Sequence, residues 1–352
     1  MASLKGLILA TTCTEEDDLV YRLQGRSRYA MQLANRALVR YAAEALIACG
    51  VEEVAVAVSP RTADDVRALI GDGSSFGSAF RYLDLPQGVT AADTLVAARE
   101  ALGEHPLVVH SGDAVMTGGL EAAVERFQRT QPDVLLLSEP SRSYPEVALA
   151  GVRGPTREEG RLAGLDHVAP AAIISVVALD ELDGFAADTS TIGGTVAALA
   201  ESGVRVSGTS LEGCWCYAGE AAHLLEANRM ILDQIPHMPV EAELESVRIE
   251  GRVAIHPDAR LERTTVRGPA VIGGGAVLSD TFVGPYSSIG AGVQLEGAEI
   301  EHSIVLERAT IRHLGQRIEA SVIGAEADIC RDFGMPTSLR LTVGRRSSVT
   351  LA

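Results

Sequence analysis

Two kinds of hydrophobic pattern alternate over the first two thirds of the chain. Continuous apolar runs, typical of strands buried on both faces, alternate with longer stretches whose apolar residues recur at helical spacing. The predicted strands are Gly6–Ala10, Val54–Val58, Phe80–Leu83, Pro106–His110 and Val134–Leu137. The predicted helices are Tyr29–Cys49, Ala63–Ile70, Ala91–Leu102 and Leu120–Arg129. This order predicts an α/β domain with a parallel sheet covered on both faces and a ligand crevice at the carboxyl ends of the strands.

After about Gln234 the helical patterns stop, and apolar residues recur at a step of six. One series is Val271, Val277, Val283, Ile289 and Leu295, continued in a shifted phase by Val305 and Ile311, and a second is Val266, Ile272 and Leu278. One inward aliphatic side chain per six residues predicts a parallel β-helix, whereas a β-sandwich would space its strands about 8–12 residues apart. We therefore divide the chain into an α/β domain at 1–236 and a β-helix domain at 237–352.

The composition narrows the class of protein. The 352 residues are 47% hydrophobic, which excludes a disordered chain. The net charge of −17 and the pI near 4.9 argue against nucleic acid and anionic membranes as partners. The longest uncharged apolar run, Val168–Leu179, is too short to span a bilayer. Five scattered cysteines, an odd number, fit reduced thiols, so we expect a cytoplasmic protein.

Several motifs, taken in order, resemble those of the sugar-1-phosphate nucleotidylyltransferases, in particular the long glucose-1-phosphate thymidylyltransferases of the streptomycin-pathway type. The matching segments cover nearly the whole chain and are GLILA, LANRALVRYAAEALIACGVEEVAVAV, GDGSSFG, VVHSGDAV, LLEANRMIL and QRIEASVIGA. The resemblance implies a Rossmann-like nucleotidyltransferase domain followed by a left-handed β-helix, and assembly as a homo-oligomer.

The resemblance also implies where the catalytic groups would stand, and there the sequence departs from the family pattern. Family members carry a glycine-rich loop with an arginine after the first strand, and its backbone amides hold the triphosphate. Here Thr11 and Thr12 follow the strand, and an acidic run of four residues, Glu15-Glu16-Asp17-Asp18, stands where the family has its arginine. Phosphoryl transfer depends on positive charge around the phosphates, so this run works against it. The family's active-site lysine corresponds to Arg28.

Further family positions are substituted along the chain. Leu85 stands where the family has the glutamine that reads the base, and Glu146 stands where it has a glycine near the sugar. Asp166 and His167 replace the start of the family's Glu-Lys-Pro motif, and Tyr217 replaces its second metal-binding aspartate. Gly88, in the turn after the base-reading position, remains, as does Asp113 in SGDAV, the family's first metal ligand. One carboxylate is a poor Mg²⁺ site by itself, so we expect any magnesium at Asp113 to be weakly bound.

Several of these residues have a structural interpretation beside the functional one. Asp113 could cap the next segment, and the acidic run could be a solvated loop or could face the ligand. His110 could be a core histidine or could titrate near neutral pH, and His167 could serve as a new general acid or base. The sequence leaves these alternatives open.

Three functions remain after these substitutions. The first is a homologue without pyrophosphorylase activity that serves as a binding or assembly subunit, and the second is an enzyme repurposed for another small ligand or reaction. The third, an active sugar-1-phosphate nucleotidylyltransferase with altered ligands, is less favoured. We expect an electronegative pocket that prefers a cationic or sugar-like molecule to dTTP. The alternative is a neutral pocket lined by Thr11, Thr12 and Trp215.

Overall fold

The first part of the chain folds around a central mixed β-sheet. The computed structural model describes residues 3–12, 18–138, 171–182, 191–211, 213–217, 219–236 and 243–331. The strands before residue 237 are β1 (Lys5–Ala10), β2 (Gln32–Leu33), β3 (Arg36–Ala37), β4 (Glu53–Val58), β5 (Ala79–Asp84), β6 (Leu107–Ser111), β7 (Ala114–Met116), β8 (Val134–Ser138), β9 (Ala171–Ile174), β10 (Val206–Ser210) and β11 (Cys214–Cys216). The helices are α1 (Leu19–Gln24), α2 (Leu38–Ala48), α3 (Ala63–Ile70), α4 (Ala91–Leu102), α5 (Glu121–Thr130), α6 (Val176–Asp180), α7 (Ile192–Glu201) and α8 (Ala221–Leu232).

The central sheet has the strand order β10-β8-β9-β6-β1-β4-β5. All of its neighbouring strands are parallel except β9, which runs antiparallel between β6 and β8 and pairs Ala172 with Val109 on one side and Leu136 on the other. The five predicted strands therefore run parallel to one another, and β9, which the pattern did not predict, is the antiparallel exception. This strand belongs to the apolar run Val168–Leu179, and a continuous apolar run indicates burial on both faces without indicating strand direction.

Helices cover both faces of this sheet, as predicted. On one face, Ile8 and Val54 belong to a buried apolar cluster with side chains of α2, α3 and α5. On the other face, Leu7 and Ala55 belong to a second cluster with side chains of α4, α6 and α7. None of the helices in the described part of the chain is both long and apolar enough to cross a membrane.

The predicted helix Tyr29–Cys49 is correct only in its second half, because α2 begins at Leu38. The preceding residues form a short antiparallel hairpin, β2 and β3, whose turn residues Ala34 and Asn35 have φ values of 46° and 61°. Two successive left-handed residues make a tight hairpin turn that a helix cannot contain. Asn35 is a residue that adopts this conformation readily, so it was the available sequence signal.

The second part of the chain is a parallel β-helix. Its first sheet contains β12 (Glu243–Glu245), β15 (Arg260–Glu262), β18 (Val277–Ser279), β21 (Gln294–Glu296), β24 (Thr310–Arg312) and β27 (Asp328–Cys330). Its second contains β13 (Arg248–Glu250), β16 (Thr265–Arg267), β19 (Phe282–Val283), β22 (Glu299–Glu301) and β25 (Ile318–Glu319). Its third contains β14 (Val253–Ile255), β17 (Ala270–Ile272), β20 (Ser287–Ile289), β23 (Ile304–Val305) and β26 (Val322–Ile323). The left-handed winding and the boundary between residues 236 and 237 stay predictions.

The coils do not keep the step of six throughout. Leu261 pairs with Leu278, 17 residues later, so one of the three faces uses five residues instead of six. In the early coils the inward residues are those of the second series, Val266, Ile272 and Leu278, and from Val283 onward they are those of the first series. The first series changes face along its length: Val277 is 44% exposed, whereas Ile289 is fully buried. Because a coil of 17 residues is one residue shorter than three steps of six, residues spaced six apart move from one face of the strand to the other.

Glycines at the corners let successive coils approach closely. A Cβ on Gly273 would lie 2.6 Å from the backbone nitrogen of Ala291, and a Cβ on Gly290 would lie 2.8 Å from that of Glu307. Real Cβ atoms do not make such contacts with backbone atoms, so only glycine fits these positions. The predicted corner role of these two glycines thus follows from coil spacing.

The third sheet of the β-helix packs on the first domain. Its outward residues Val271 and Ile304 share a buried apolar cluster with Leu224 of α8, Val20 of α1 and Trp215. The buried Asn228 of α8 connects the two parts through polar contacts. Its Oδ1 accepts hydrogen bonds from the Ala34 amide at 2.9 Å and the Ser288 hydroxyl at 2.7 Å, and its Nδ2 donates to the Tyr286 carbonyl at 3.2 Å.

Adjacent residues of β18 test the coil register. We expect Leu278→Ala to lower the free energy of unfolding by about 3 kcal/mol, because it leaves a cavity among the inward side chains. Its neighbour Val277 faces solvent, so Val277→Ala, the matched control, is expected to cost less than about 1 kcal/mol. Chemical denaturation of both variants measures the difference, and equal losses would contradict the register.

Candidate ligand site at the carboxyl ends of the central strands

The candidate site lies where the neighbouring strands β1 and β6 end. The chain leaves β1 through Thr11 and Thr12, and it leaves β6 through Gly112 and Asp113. The Thr12 amide donates to the Tyr29 hydroxyl at 3.1 Å, which ties the end of β1 to the segment that carries Arg28. A Cβ on Gly112 would lie 3.0 Å from both the Leu9 carbonyl and the Tyr29 ring, so a larger residue would push the ring away.

Helix α3 positions the segment before Arg28. The two carboxylate oxygens of Asp65 accept from Arg26 Nε at 3.0 Å and from the Ser27 amide at 2.7 Å. The 3₁₀ turn Arg28–Ala30 starts immediately after these contacts, and the Tyr29 side chain is fully buried. The backbone at Arg28 is therefore fixed from both sides, which directs the guanidinium towards the ends of β1 and β6.

The Arg28 guanidinium lies between two carboxylates. Its Nη1 is 3.3 Å from Asp113 Oδ2, and its Nη2 is 3.1 Å from Asp18 Oδ2. The side chains are 18% exposed in Arg28, 11% in Asp18 and 15% in Asp113, so water screens these contacts only partly. Burial acts to lower the pKa of Arg28, but Asp113, Tyr29 and Asp18 outweigh it and raise the pKa overall. The guanidinium therefore stays charged.

Tyr217 completes the cluster from the other side. Strand β11 pairs antiparallel with β7, with Cys216 opposite Ala114, and this pairing brings Tyr217 beside Asp113. The Tyr217 hydroxyl donates to Asp18 Oδ1 at 3.1 Å, and its ring centroid lies 5.5 Å from the Arg28 guanidinium carbon. Burial and the nearby Asp18 carboxylate raise the pKa of Tyr217, so the hydroxyl keeps its proton and acts as a donor.

Both oxygens of Asp113 are engaged by the protein. Oδ2 contacts Arg28, and Oδ1 accepts a hydrogen bond from the hydroxyl of Ser111, two residues earlier. Asp18 has the same arrangement, with Arg28 on Oδ2 and Tyr217 on Oδ1, and it also caps α1 by accepting from the Val20 amide at 2.8 Å. Each carboxylate thus faces the shared guanidinium with one oxygen and a hydroxyl donor with the other.

The motif resemblance implies a Mg²⁺ ion at Asp113, and this donor set does not fit one. Mg²⁺ prefers carboxylate oxygens and water in an octahedral arrangement, but here the Asp113 oxygens already contact a cation and a hydroxyl. Tyr217 presents a protonated hydroxyl where the family has a carboxylate. Within the described ranges, no group of three or more His, Cys, Asp or Glu side chains is arranged to hold a metal ion.

The structure brings together part of the predicted site. Arg28, Asp113 and Tyr217 meet in the cluster, with Thr11 and Thr12 at the adjoining strand end. Gly88 follows β5 at the same edge of the sheet but two strands away from β1. Trp215 is only 5% exposed and packs in the interdomain apolar cluster, so the structure assigns it a packing position. The remaining predicted positions, Glu15, Glu16, Glu146, Asp166 and His167, lie outside the described residues.

Sequence reasoning missed two members of the cluster. Asp18 ends the acidic run, and an aspartate directly before the apolar segment LVYRL is a typical helix N-cap signal. Ser111 had no sequence signal beyond its place two residues before Asp113, because only the turn after β6 directs its hydroxyl to the carboxylate.

Comparison with known proteins assigns the class to which this fold and site belong. The profile of the nucleotidyl transferase family matches residues 24–146. Over 334 residues, 91% of this chain and 92% of the relative, the sequence is 30% identical to a glucose-1-phosphate thymidylyltransferase of Streptomyces griseus. The chain therefore belongs to the nucleotidyl transferase family, which confirms the resemblance inferred from its motifs.

Other relatives agree with this assignment. A glucose-1-phosphate thymidylyltransferase of Streptomyces antibioticus and the low-salt glycan biosynthesis nucleotidyltransferase Agl11 of Haloferax volcanii are each 28% identical, covering 91% of this chain and 92% of their own length. Among solved structures, a Bacillus anthracis protein described as a glucose-1-phosphate thymidylyltransferase, in complex with a sucrose, superposes with a TM-score of 0.52. It covers 68% of this chain and 98% of its own at 16% identity, which supports the fold alone.

His110 on β6 is a core histidine close to the cluster. It is fully buried, its Nδ1 lies 2.5 Å from the Ser111 carbonyl, and its Nε2 has no hydrogen-bond partner among the described residues. Burial lowers the pKa of His110 to about 4, so the imidazole is neutral at neutral pH and does not titrate there.

We expect His110 to make the protein acid-sensitive. Between pH 6.5 and about 4 the unfolded chain binds a proton at His110 and the folded chain does not, so stability falls as the pH falls. This contribution amounts to about 3 kcal/mol between pH 7 and pH 4. Denaturation of wild type and His110→Gln over this range measures it, because the variant lacks the titration. Parallel pH profiles for the two proteins would refute it.

Proposed function

We propose that this protein is a divergent member of the nucleotidyl transferase family that does not transfer a thymidylyl group to glucose 1-phosphate. The site at the ends of β1 and β6 then serves to bind another small ligand, either for a different reaction or as part of a non-catalytic subunit. The observation that carries the proposal is the position of the Arg28 guanidinium between Asp18 and Asp113. This contact engages both the cation that could support a phosphoryl group and the carboxylate that could bind a metal.

Charge supports this proposal. Nucleotidyl transfer needs positive charge directed at the phosphates, usually from a metal ion and a basic side chain together. In the described cluster, two carboxylates share one guanidinium, so the net charge is −1 before any substrate enters. A triphosphate would have to take Arg28 from two partly buried carboxylates, and leaving a buried charge without its partner costs up to about 3–5 kcal/mol.

The first test is an activity assay. We expect no steady release of pyrophosphate from dTTP, glucose 1-phosphate and Mg²⁺, because groups that stabilise a transition state together are not replaced singly. A coupled pyrophosphate assay measures this, with the Streptomyces griseus thymidylyltransferase as the positive control. Steady pyrophosphate release above the enzyme-free background would contradict the proposal.

A second candidate is an active sugar-1-phosphate nucleotidylyltransferase with altered substrates and metal ligands. It is favoured by the retention of Asp113 at the end of β6 and of a cation at position 28. The same assay with other nucleoside triphosphates, other sugar phosphates and Mn²⁺ separates the two candidates. Turnover that Asp113→Asn abolishes would support the second.

The ligand class that we propose is based on the net negative charge of the Arg28, Asp18 and Asp113 cluster. Asp18, the one member of the acidic run within the described residues, faces the cluster, which supports an electronegative rather than a phosphate-binding site. We expect glucosamine, a cationic sugar, to raise the melting temperature more than dTTP at equal concentration, since a ligand bound only by the folded state stabilises it. A thermal-shift titration measures this, with glucose as the uncharged control. A larger shift with dTTP would contradict it.

Homo-oligomeric assembly also stays a proposal.

A further inference from the structure

We propose that the Arg28 guanidinium is a built-in replacement for a divalent metal ion, permanently bound between Asp18 and Asp113. The inference rests on the proposed function and deepens it, since it names what fills the metal position. It predicts that the wild-type cluster does not bind divalent cations and that removal of the guanidinium creates a site that does.

The geometry supports a single cationic centre. Asp18 Oδ2 and Asp113 Oδ2 come from separate segments, the N-cap of α1 and the turn after β6, and both face the same planar group at 3.1 and 3.3 Å. The other oxygen of each carboxylate is held by a hydroxyl, from Tyr217 and Ser111 respectively. The hydroxyls thus orient both carboxylates, and the remaining oxygen of each one contacts Arg28.

The ligand type supports it as well. Two converging carboxylate oxygens, partly shielded from water, are the protein ligands that Mg²⁺ and Mn²⁺ take, with water completing the shell. Arg28 meets the same demand by placing its two terminal nitrogens on two different carboxylates. A lysine ammonium is a compact point charge without this planar fork, which gives a physical reason for arginine at a position where the family has lysine.

A neutral side chain at position 28 would leave two negative charges facing each other at low exposure. The cluster would then change from a net charge of −1 to −2 while its hydroxyl donors stayed in place. Such a pair repels strongly and is relieved by a cation. A divalent ion from solution would therefore both bind and restabilise the variant, which the wild type does not need.

Arg28→Met tests this proposal, since methionine is unbranched and uncharged. Arg67→Met is the matched control, because Arg67 pairs with a single exposed carboxylate, Asp84. The double variant Arg28→Met/Asp113→Asn removes one of the two converging oxygens. Each full-length protein is titrated with Mn²⁺ by calorimetry, and its melting temperature is measured in EDTA and in excess Mn²⁺.

We expect Arg28→Met to melt roughly 5 °C below wild type in EDTA and to regain most of that loss in Mn²⁺. We also expect it to bind one Mn²⁺ at least about tenfold more tightly than wild type, Arg67→Met or the double variant. Equal Mn²⁺ affinity in Arg28→Met and wild type would overturn the proposal. If Arg28→Met does not fold, the wild type decides: saturable Mn²⁺ binding that Asp113→Asn abolishes overturns the proposal, and its absence supports it.

These outcomes are independent of the activity test. Pyrophosphate release by the wild type would refute the proposed function without changing any of the Mn²⁺ affinities. Failure of the Mn²⁺ prediction would refute the metal replacement while leaving a protein without thymidylyltransferase activity. The two failures are therefore distinguishable.

Discussion

The buried amide of Asn228 is the contact on which the arrangement of the two domains depends. It holds the Ala34 amide of the first domain and the Ser288 hydroxyl of the β-helix at once, and a buried polar network of this kind tolerates little displacement before its hydrogen bonds are lost. The docked β-helix also reaches the site. The Ala325 amide donates to the Leu23 carbonyl at 2.7 Å in the last turn of α1, whose other end is capped by Asp18. The position of α1, and with it the contact between Asp18 and Arg28, therefore depends on the domain interface.

Sequence patterns predicted the parts of the fold that depend on local burial. The strands at residues 5–10 and 53–58 and the helices at 63–70 and 91–102 lie within a residue of their predicted limits. The errors occur where distant contacts override local preference. Asn35 turns the hairpin before α2 while its side chain donates to the Ile289 carbonyl of the β-helix at 2.7 Å. The direction of β9 and the face of Val277 likewise depend on neighbours that periodicity does not reveal.

The candidate site was predictable to the extent that motifs mark positions. The resemblance indicated Arg28, Asp113 and Tyr217 separately, and the fold brings these three together. What no motif indicated is that the retained groups neutralise one another. That result depends on a helix cap, Asp18, and on a hydroxyl, Ser111, whose contacts exist only after α1 and the turn after β6 are in place. A substitution pattern alone shows which family groups are lost, but not what the new ones bind.

The antiparallel pairing of β9 with β8 has a consequence for how the segment between these two strands can change in evolution. Strand β8 ends at Ser138 and β9 begins at Ala171, and the pairing of Leu137 with Ala171 puts these two strand ends side by side. A segment whose two ends are already fixed side by side costs little additional closure entropy as its length changes. The central strands can therefore stay constant while the intervening segment varies in length and sequence. Changes in the length of that segment then leave in place the sheet from which Asp113 follows.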